Sequence, residues 1–241
     1  MSADSSTSSR YYIHRPGASR RVIRVICLHG YKDSANEFSK GLDELRAWVG
    51  PMAEFAVVSG QELHNNEFCW YPNRFDLSCP DEEVDQHQLA WLRRSVRSLE
   101  EYVLNYGPFD GILGFSQGAM FATMVLQVLR SQAIDPTADT KGLTVSSTLN
   151  CFKFAILFCP CEERSPYNLR LEVPKIAVPT MLCLARYDDM IPVEVGKQFM
   201  RLFDHAELHV YEGAHWLPMD VEFGPVIRKF LQKFWVIDDS N

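Results

Sequence analysis

The sequence predicts an α/β protein built on a mostly parallel, doubly wound sheet flanked by helices. Three observations carry that expectation. Short apolar, β-branched runs alternate with segments of helical period, the pattern of strands joined by crossover helices. The 241 residues fall within the range that α/β folds fill as one domain, with enough chain to bury a large core. Third, the stretch 110–120 passes from an apolar strand to an apolar helix through Gly114-Phe115-Ser116-Gln117-Gly118. A G-x-S-x-G turn between those two elements is the setting of a nucleophile elbow.

Taken in order, residues 1–20 are polar and Ser-rich at the start and are expected to form a flexible tail; 21–241 are expected to form one domain. The first strand is 22–26. A helix begins near Ser34, where Ser34 and Glu37 make a capping box, and Gly50-Pro51 stops it. Its apolar face is Phe38, Leu42, Leu45 and Trp48. After a second strand at 54–58, residues 59–82 form a long irregular loop holding Phe68, Trp70, Tyr71 and Phe75; loops of that length are commonly functional. The long helix 84–105 carries Leu89, Leu92, Val96, Leu99 and Val103 on one face and ends at Gly107-Pro108. Beyond the elbow strand 111–115, the helix from Gln117 places Met120, Met124, Val125, Val128 and Leu129 at helical spacing. Residues 131–150, polar and rich in turn formers, are expected to be an inserted surface loop at the edge of the sheet away from Ser116. Strands at 152–159 and 178–185, a helix at 192–203, a last strand at 207–211 and an amphipathic helix at 221–236 complete the chain. Residues 160–177, between the fourth and fifth strands, are too few for a cap domain.

Composition narrows the function classes. Hydrophobic content of 46% and charged content of 23% are those of an ordinary globular chain. A dispersed net charge of −7 argues against nucleic acid or an anionic membrane as partner. No apolar run approaches the roughly 20 residues of a membrane span, so no stable membrane insertion is expected. The start of the chain lacks the apolar core of a secretory signal, and seven cysteines make an odd count. Reduced thiols and a cytosolic or nuclear compartment follow as expectations. Cys159-Pro160-Cys161 is a poor zinc pattern, and His205 and His209, four apart, fall in a strand rather than a helix. No metal and no cofactor are expected, and the oligomeric state stays open.

The chemistry centres on Ser116. A serine on a sharp strand-to-helix turn has a strained backbone, and side chains two residues away on either side would meet the crossing chain. Ser116 Oγ would stand at the carboxyl edge of the sheet, with the Gln117 N–H at the helix start aimed at an oxyanion. Loops following parallel strands gather at that edge. Two of them, 187–192 and 212–218, supply a carboxylate at Asp188 or Asp189 and an imidazole at His215. Serine is a weak nucleophile until an imidazole takes its proton, and a carboxylate fixes that imidazole's tautomer. The chain order Ser116, Asp188, His215 is the one α/β-hydrolases use. Of the two acids, Asp188 lies nearer the strand and is expected to be better anchored.

The stretches 27–31, 107–119, 188–192 and 213–218 resemble the eukaryotic "family of serine hydrolases", the ovarian-tumour-associated and yeast serine hydrolase type. The resemblance implies an α/β-hydrolase fold without a cap domain and a carboxylesterase-type activity. It implies Ser116, Asp188 and His215 as a triad, selects Asp188 over Asp189 by its spacing to Pro192, and assigns the oxyanion hole to the N–H groups of Tyr31 and Gln117. The chain departs from the pattern at Ala185, Ala214 and Cys159-Pro160-Cys161, none of which removes a catalytic group. Phe68, Trp70, Phe75 and Trp216 are expected to line an acyl groove, since no Arg or Lys cluster is at hand for a charged head group. The expected partner is a small-molecule ester or thioester, hydrolysed through an acyl-enzyme. The alternative is a catalytically silent small-molecule-binding module on the same fold, since fold alone does not set function.

Overall fold

Residues 11–13, 21–73, 76–80, 83–160 and 174–235 are described in the computed structural model. Seven strands form one sheet: β1 (Tyr11–Ile13), β2 (Ile23–Leu28), β3 (Ala53–Val58), β6 (Gly111–Phe115), β7 (Phe154–Phe158), β8 (Thr180–Ala185) and β9 (Ala206–Tyr211). Their order is β1-β3-β2-β6-β7-β8-β9, and every neighbouring pair is parallel except β1 with β3. The hairpin of β4 (Gln61–His64) and β5 (Glu67–Cys69) stands apart as a two-stranded sheet.

The central strands are buried along their whole length: β3, β7 and β8 have no residue open to solvent. Near-continuous apolar runs of this kind are what a parallel sheet covered on both faces requires. Side chains then alternate between two cores. On one face Ile26, Leu28, Ile112, Leu157 and Leu182 pack against α3 (Val84–Tyr106) and α4 (Gln117–Ile134). On the other, Val25, Cys27, Leu113, Ile156 and Met181 meet α1 (Ala35–Gly41), α2 (Asp43–Val49) and α6 (Phe223–Gln232). A short helix α5 (Val193–Lys197), continued by a 3₁₀ turn at Gln198–Leu202, connects β8 to β9. Half of the expected capping box forms: the Ser34 hydroxyl accepts the Glu37 N–H at 3.2 Å, while the Ser34 N–H donates to Asp33 Oδ1 instead of Glu37.

Three features differ from the sequence reading. Tyr11–Ile13, expected within an unpacked tail, pairs antiparallel with Val58–Ala56 at the sheet edge. Part of the loop 59–82 is regular, because 61–69 folds into the β4–β5 hairpin. Finally, 131–150 is more than a surface insertion. Helix α4 runs on to Ile134, and Leu143, Val145 and Leu149 are buried in the core beneath α3 and α4. Gln132 brackets Val145, donating to its C=O and accepting its N–H at 3.0 Å each, and Arg93 donates to the Gly142 C=O. The segment does lie at the amino edge of the sheet, where Lys153 N–H bonds Asp110 C=O just before β7 and β6 begin.

Candidate active site

Because β6, β8 and β9 run parallel, their carboxyl ends deliver three chain crossings to one edge. The first is the elbow. Ser116 takes φ 51°, ψ −116°, a conformation L-residues reach only under strain. Its N–H donates to Phe158 C=O at 2.8 Å, and its C=O accepts the N–H groups of Ala119 and Met120, so both flanks are tied down. The two motif glycines are demanded by space: a Cβ on Gly114 would lie 2.5 Å from Ala119 Cα, and one on Gly118 would lie 2.3 Å from Leu28 O. The chain that crowds Gly118 is the end of β2, and the one that crowds Gly114 is the first turn of α4.

The second crossing carries the acid. The Asp188 side chain is fully shielded from solvent. Its Oδ1 accepts the N–H groups of Met190 at 2.9 Å and Ile191 at 2.7 Å, leaving Oδ2 for His215 Nδ1 at 2.7 Å. Asp189 is exposed. The third crossing carries the imidazole, whose Nε2 lies 2.9 Å from Ser116 Oγ. With Asp188 accepting at Nδ1, the tautomer is Nδ1–H, and Nε2 is free to accept the serine proton.

Both loops are held to each other and to the sheet. Arg186 N–H bonds Tyr211 C=O, and Tyr187 N–H bonds Gly213 C=O, each at 2.9 Å. Trp216 N–H closes back onto Ala214 C=O, and the Tyr211 hydroxyl donates to Trp216 C=O, fixing the peptide just after His215. Behind this pair lies Cys159, with Sγ 3.3 Å from the Tyr211 hydroxyl. Donor atoms of Cys159, Asp188 and His215 fall within 4.8 Å of one another. Asp188 and His215 already use theirs on each other, and burial pushes the Cys159 thiol up to about 12, so the trio suits a proton-holding cluster better than a cation.

The N–H of Gln117, first residue of α4, has no acceptor within the helix. Tyr31 follows Gly30, and a Cβ on Gly30 would lie 3.0 Å from the Phe115 ring and 3.7 Å from Ser116 Cβ, so this turn borders the elbow closely. Side chains of both residues grip the 70–76 segment. Gln117 Oε1 accepts Trp70 N–H at 2.9 Å while its Nε2 donates to Tyr71 C=O at 2.8 Å, and the Tyr31 hydroxyl donates to Asp76 Oδ2. Beneath them His29 is buried, with Nδ1–H donating to Gly30 C=O and Nε2 accepting Gly60 N–H; burial holds its pKa down at about 4.

The expected acyl-groove residues do not all fall at this edge. Trp70 is a correction: it is 1% exposed, stacks on Phe121 at 4.8 Å and donates its indole N–H to His29 C=O, so it is a core pillar under the site. Phe68 is half-buried on β5, bridged to Asp33. Trp216, beside His215, is 55% exposed. Phe75 lies outside the described residues, as does Cys161. The sequence reading passed over the exposed Tyr187 and Met190, which flank the acid; being apolar side chains in a carboxyl-edge loop was their only signal. It also passed over the carboxamide of Gln117 and the hydroxyl of Tyr211, and no local pattern marks either.

A parallel sheet of this order, an elbow after β6 and a serine, an acid and a histidine at the ends of β6, β8 and β9 define an α/β-hydrolase. Solved structures of that class match along nearly the whole chain. Acyl-protein thioesterase 2 of Zea mays aligns with a TM-score of 0.64 at 16% identity, covering 94% of this chain and 99% of that one. A Bacillus cereus carboxylesterase aligns at 0.60 and 16%, covering 92% and 93%. The chain belongs to the serine hydrolase (FSH1) family, whose model matches residues 19–224. Similar relatives include Esterase OVCA2 of Danio rerio, 24% identical over 234 residues, covering 88% of this chain and 97% of the relative. Esterase CG5412 of Drosophila melanogaster is 26% identical over 220 residues, covering 87% and 74%. The family supports ester hydrolysis, and the solved structures share its fold. No helix among the described residues is long and apolar enough to cross a membrane.

Proposed function

We propose that the protein hydrolyses small carboxylic esters or thioesters with an apolar acyl chain, using Ser116 as nucleophile, His215 as base and acid, and Asp188 as the group that orients His215. The observation carrying this reading is the unbroken hydrogen-bond chain from Asp188 Oδ2 through His215 to Ser116 Oγ, with steps of 2.7 and 2.9 Å. His215 Nε2 takes the hydroxyl proton as Oγ bonds to the carbonyl carbon, and the carbonyl electron pair moves onto oxygen. The N–H groups of Gln117 and Tyr31 receive that oxyanion. Collapse breaks the bond to the leaving group, which departs with the proton from Nε2. Water then gives its proton to Nε2 and attacks the acyl-serine, and the second collapse returns the proton to Oγ and frees the acid. Phe68, Trp216 and the exposed Tyr187 and Met190 are the apolar surface offered to the acyl chain.

The test is labelling with a fluorophosphonate, combined with a panel of p-nitrophenyl esters and acyl thioesters of increasing chain length. The wild type is expected to be labelled at Ser116 only. Ser116→Ala is expected to lose the label and about a million-fold in turnover while keeping its fold. An unlabelled wild type, silent on every ester and thioester, would favour the binding-module alternative; labelling that survives the substitution would move the nucleophile elsewhere.

A further inference from the structure

A second feature lies at the opposite edge of the sheet, about 20 Å along α4 from Ser116 at 1.5 Å per residue. The last turns of α4 present Leu126, Leu129 and Arg130 on one face, across from Leu149, Phe152 and Val178. Between them is a cleft of about 150 Å³ with no carboxylate among its described lining residues. Among the described residues Arg130 is the one charged group lining it, and its Nε is shielded from water without a hydrogen-bond partner. Lys175, exposed, adjoins the lining residue Ile176.

These facts constrain an occupant. A guanidinium is always charged, has five donors and no acceptor, and matches a carboxylate fork to fork. Nε is closed to solvent, so a ligand in the cleft meets the guanidinium through its terminal N–H groups, and an anion there supplies the counter-charge that no described lining residue offers. Apart from Asn150, the other lining side chains are apolar, and the volume is one that, in an engineered cavity lined by Leu, Ile and Phe, holds a benzene ring. A neutral apolar molecule would leave the guanidinium without a counter-charge, and an inorganic anion would leave the apolar wall uncovered. We propose that this cleft binds a small carboxylate with an apolar tail of about six carbons, remote from Ser116. Such acids are the class that the proposed hydrolysis releases, though the cleft's chemistry stands without that reading.

The test uses the full chain with methyl-labelled Leu, Ile and Val, titrated with sodium hexanoate and, separately, with 1-hexanol. Hexanoate is expected to shift the methyls of Leu126, Leu129, Leu149 and Val178 saturably, with a dissociation constant of about 0.1–1 mM. Hexanol is expected to bind much more weakly. Arg130→Met keeps the aliphatic stem and is expected to weaken hexanoate binding about 10- to 100-fold with the methyl spectrum otherwise preserved. Ala133→Phe, at an exposed position on the rim, is expected to block the cleft without touching the charge. Shifts confined to Ile191 and Leu217 would place hexanoate at the Ser116 edge alone and overturn the proposal. So would hexanoate binding that is absent, or unchanged in both variants. Loss of esterase activity in wild type would leave this result untouched.

Discussion

Replacing Asp188 by Asn changes one oxygen to an NH₂ group, and the surroundings dictate which one. Oδ1 accepts two backbone N–H groups, from Met190 and Ile191, so the amide oxygen must stay there. The NH₂ then faces His215 Nδ1 across the 2.7 Å contact and can only donate. His215 is forced into the Nε2–H tautomer, its proton aimed at Ser116 Oγ 2.9 Å away, and the nucleophile loses its base. The same tautomer inversion in a serine protease lowers turnover about ten-thousand-fold. At about 1.4 kcal/mol per factor of ten, that is about 5 kcal/mol of lost transition-state stabilisation. Asp189 is exposed, and Asp189→Asn is expected to cost well under tenfold. The assay is turnover of a p-nitrophenyl ester by both variants between pH 7 and 9, with circular dichroism confirming the fold. Asp188→Asn retaining a tenth of wild-type turnover, or Asp189→Asn proving the worse, would refute the reasoning.

Three further outcomes are expected. Gly118→Ala sets a methyl 2.3 Å from Leu28 O and 2.5 Å from His29 O, so urea unfolding is expected to show a loss of about 3 kcal/mol; wild-type stability would deny the close approach of β2 to the elbow. His29, with a pKa near 4 when folded and about 6.5 when unfolded, takes up its proton first in the unfolded chain, so its contribution is complete above pH 6.5 and is lost as pH falls through 4. Across that window it amounts to about 3 kcal/mol, and the stability–pH slope of His29→Gln is expected to be shallower by one proton there; an equal slope would contradict a buried neutral imidazole. Leu149→Ala, inside the segment that reads as a surface insertion, is expected to cost about 2–5 kcal/mol while leaving turnover per folded molecule unchanged; a cost below 1 kcal/mol would return the segment to the surface.

The elbow was legible because two glycines, a strand and a helix at fixed offsets leave few other arrangements, and five of the six longer sheet strands announce themselves as largely buried apolar runs, β9 being half-buried and more polar. Asp188 was separable from Asp189 only by spacing and strand proximity; the structure adds the two N–H groups that fix its orientation. Trp70 misled because an aromatic in a long loop gives the same sequence signal whether its ring faces a ligand or pins the loop to the core. Leu143, Val145 and Leu149 were hidden for another reason. They anchor an irregular segment through side-chain bonds from Gln132 and Arg93, which leave no periodicity. The strand at Tyr11–Ile13 is three residues long, and its pairing depends on β3, distant in sequence.

The grip of Gln117 and Tyr31 on the 70–76 segment bears on how this enzyme class diversifies. Gln117 bonds Trp70 and Tyr71 with its carboxamide as a neighbouring strand would with its backbone, and Tyr31 holds Asp76, which also accepts the Asn73 N–H. The base of the loop is therefore held by the side chains of the same two residues whose N–H groups are the proposed oxyanion donors. Its far end is the β4–β5 turn at Asn65 and Asn66, both at positive φ, as a tight two-residue hairpin turn requires. Variation at the base would disturb the oxyanion donors, whereas the hairpin tip can be lengthened, shortened or exchanged like a bit in a fixed chuck. A library confined to 62–67 would therefore vary the hairpin tip while each member keeps the hydrogen bonds of Gln117 and Tyr31 at the loop base.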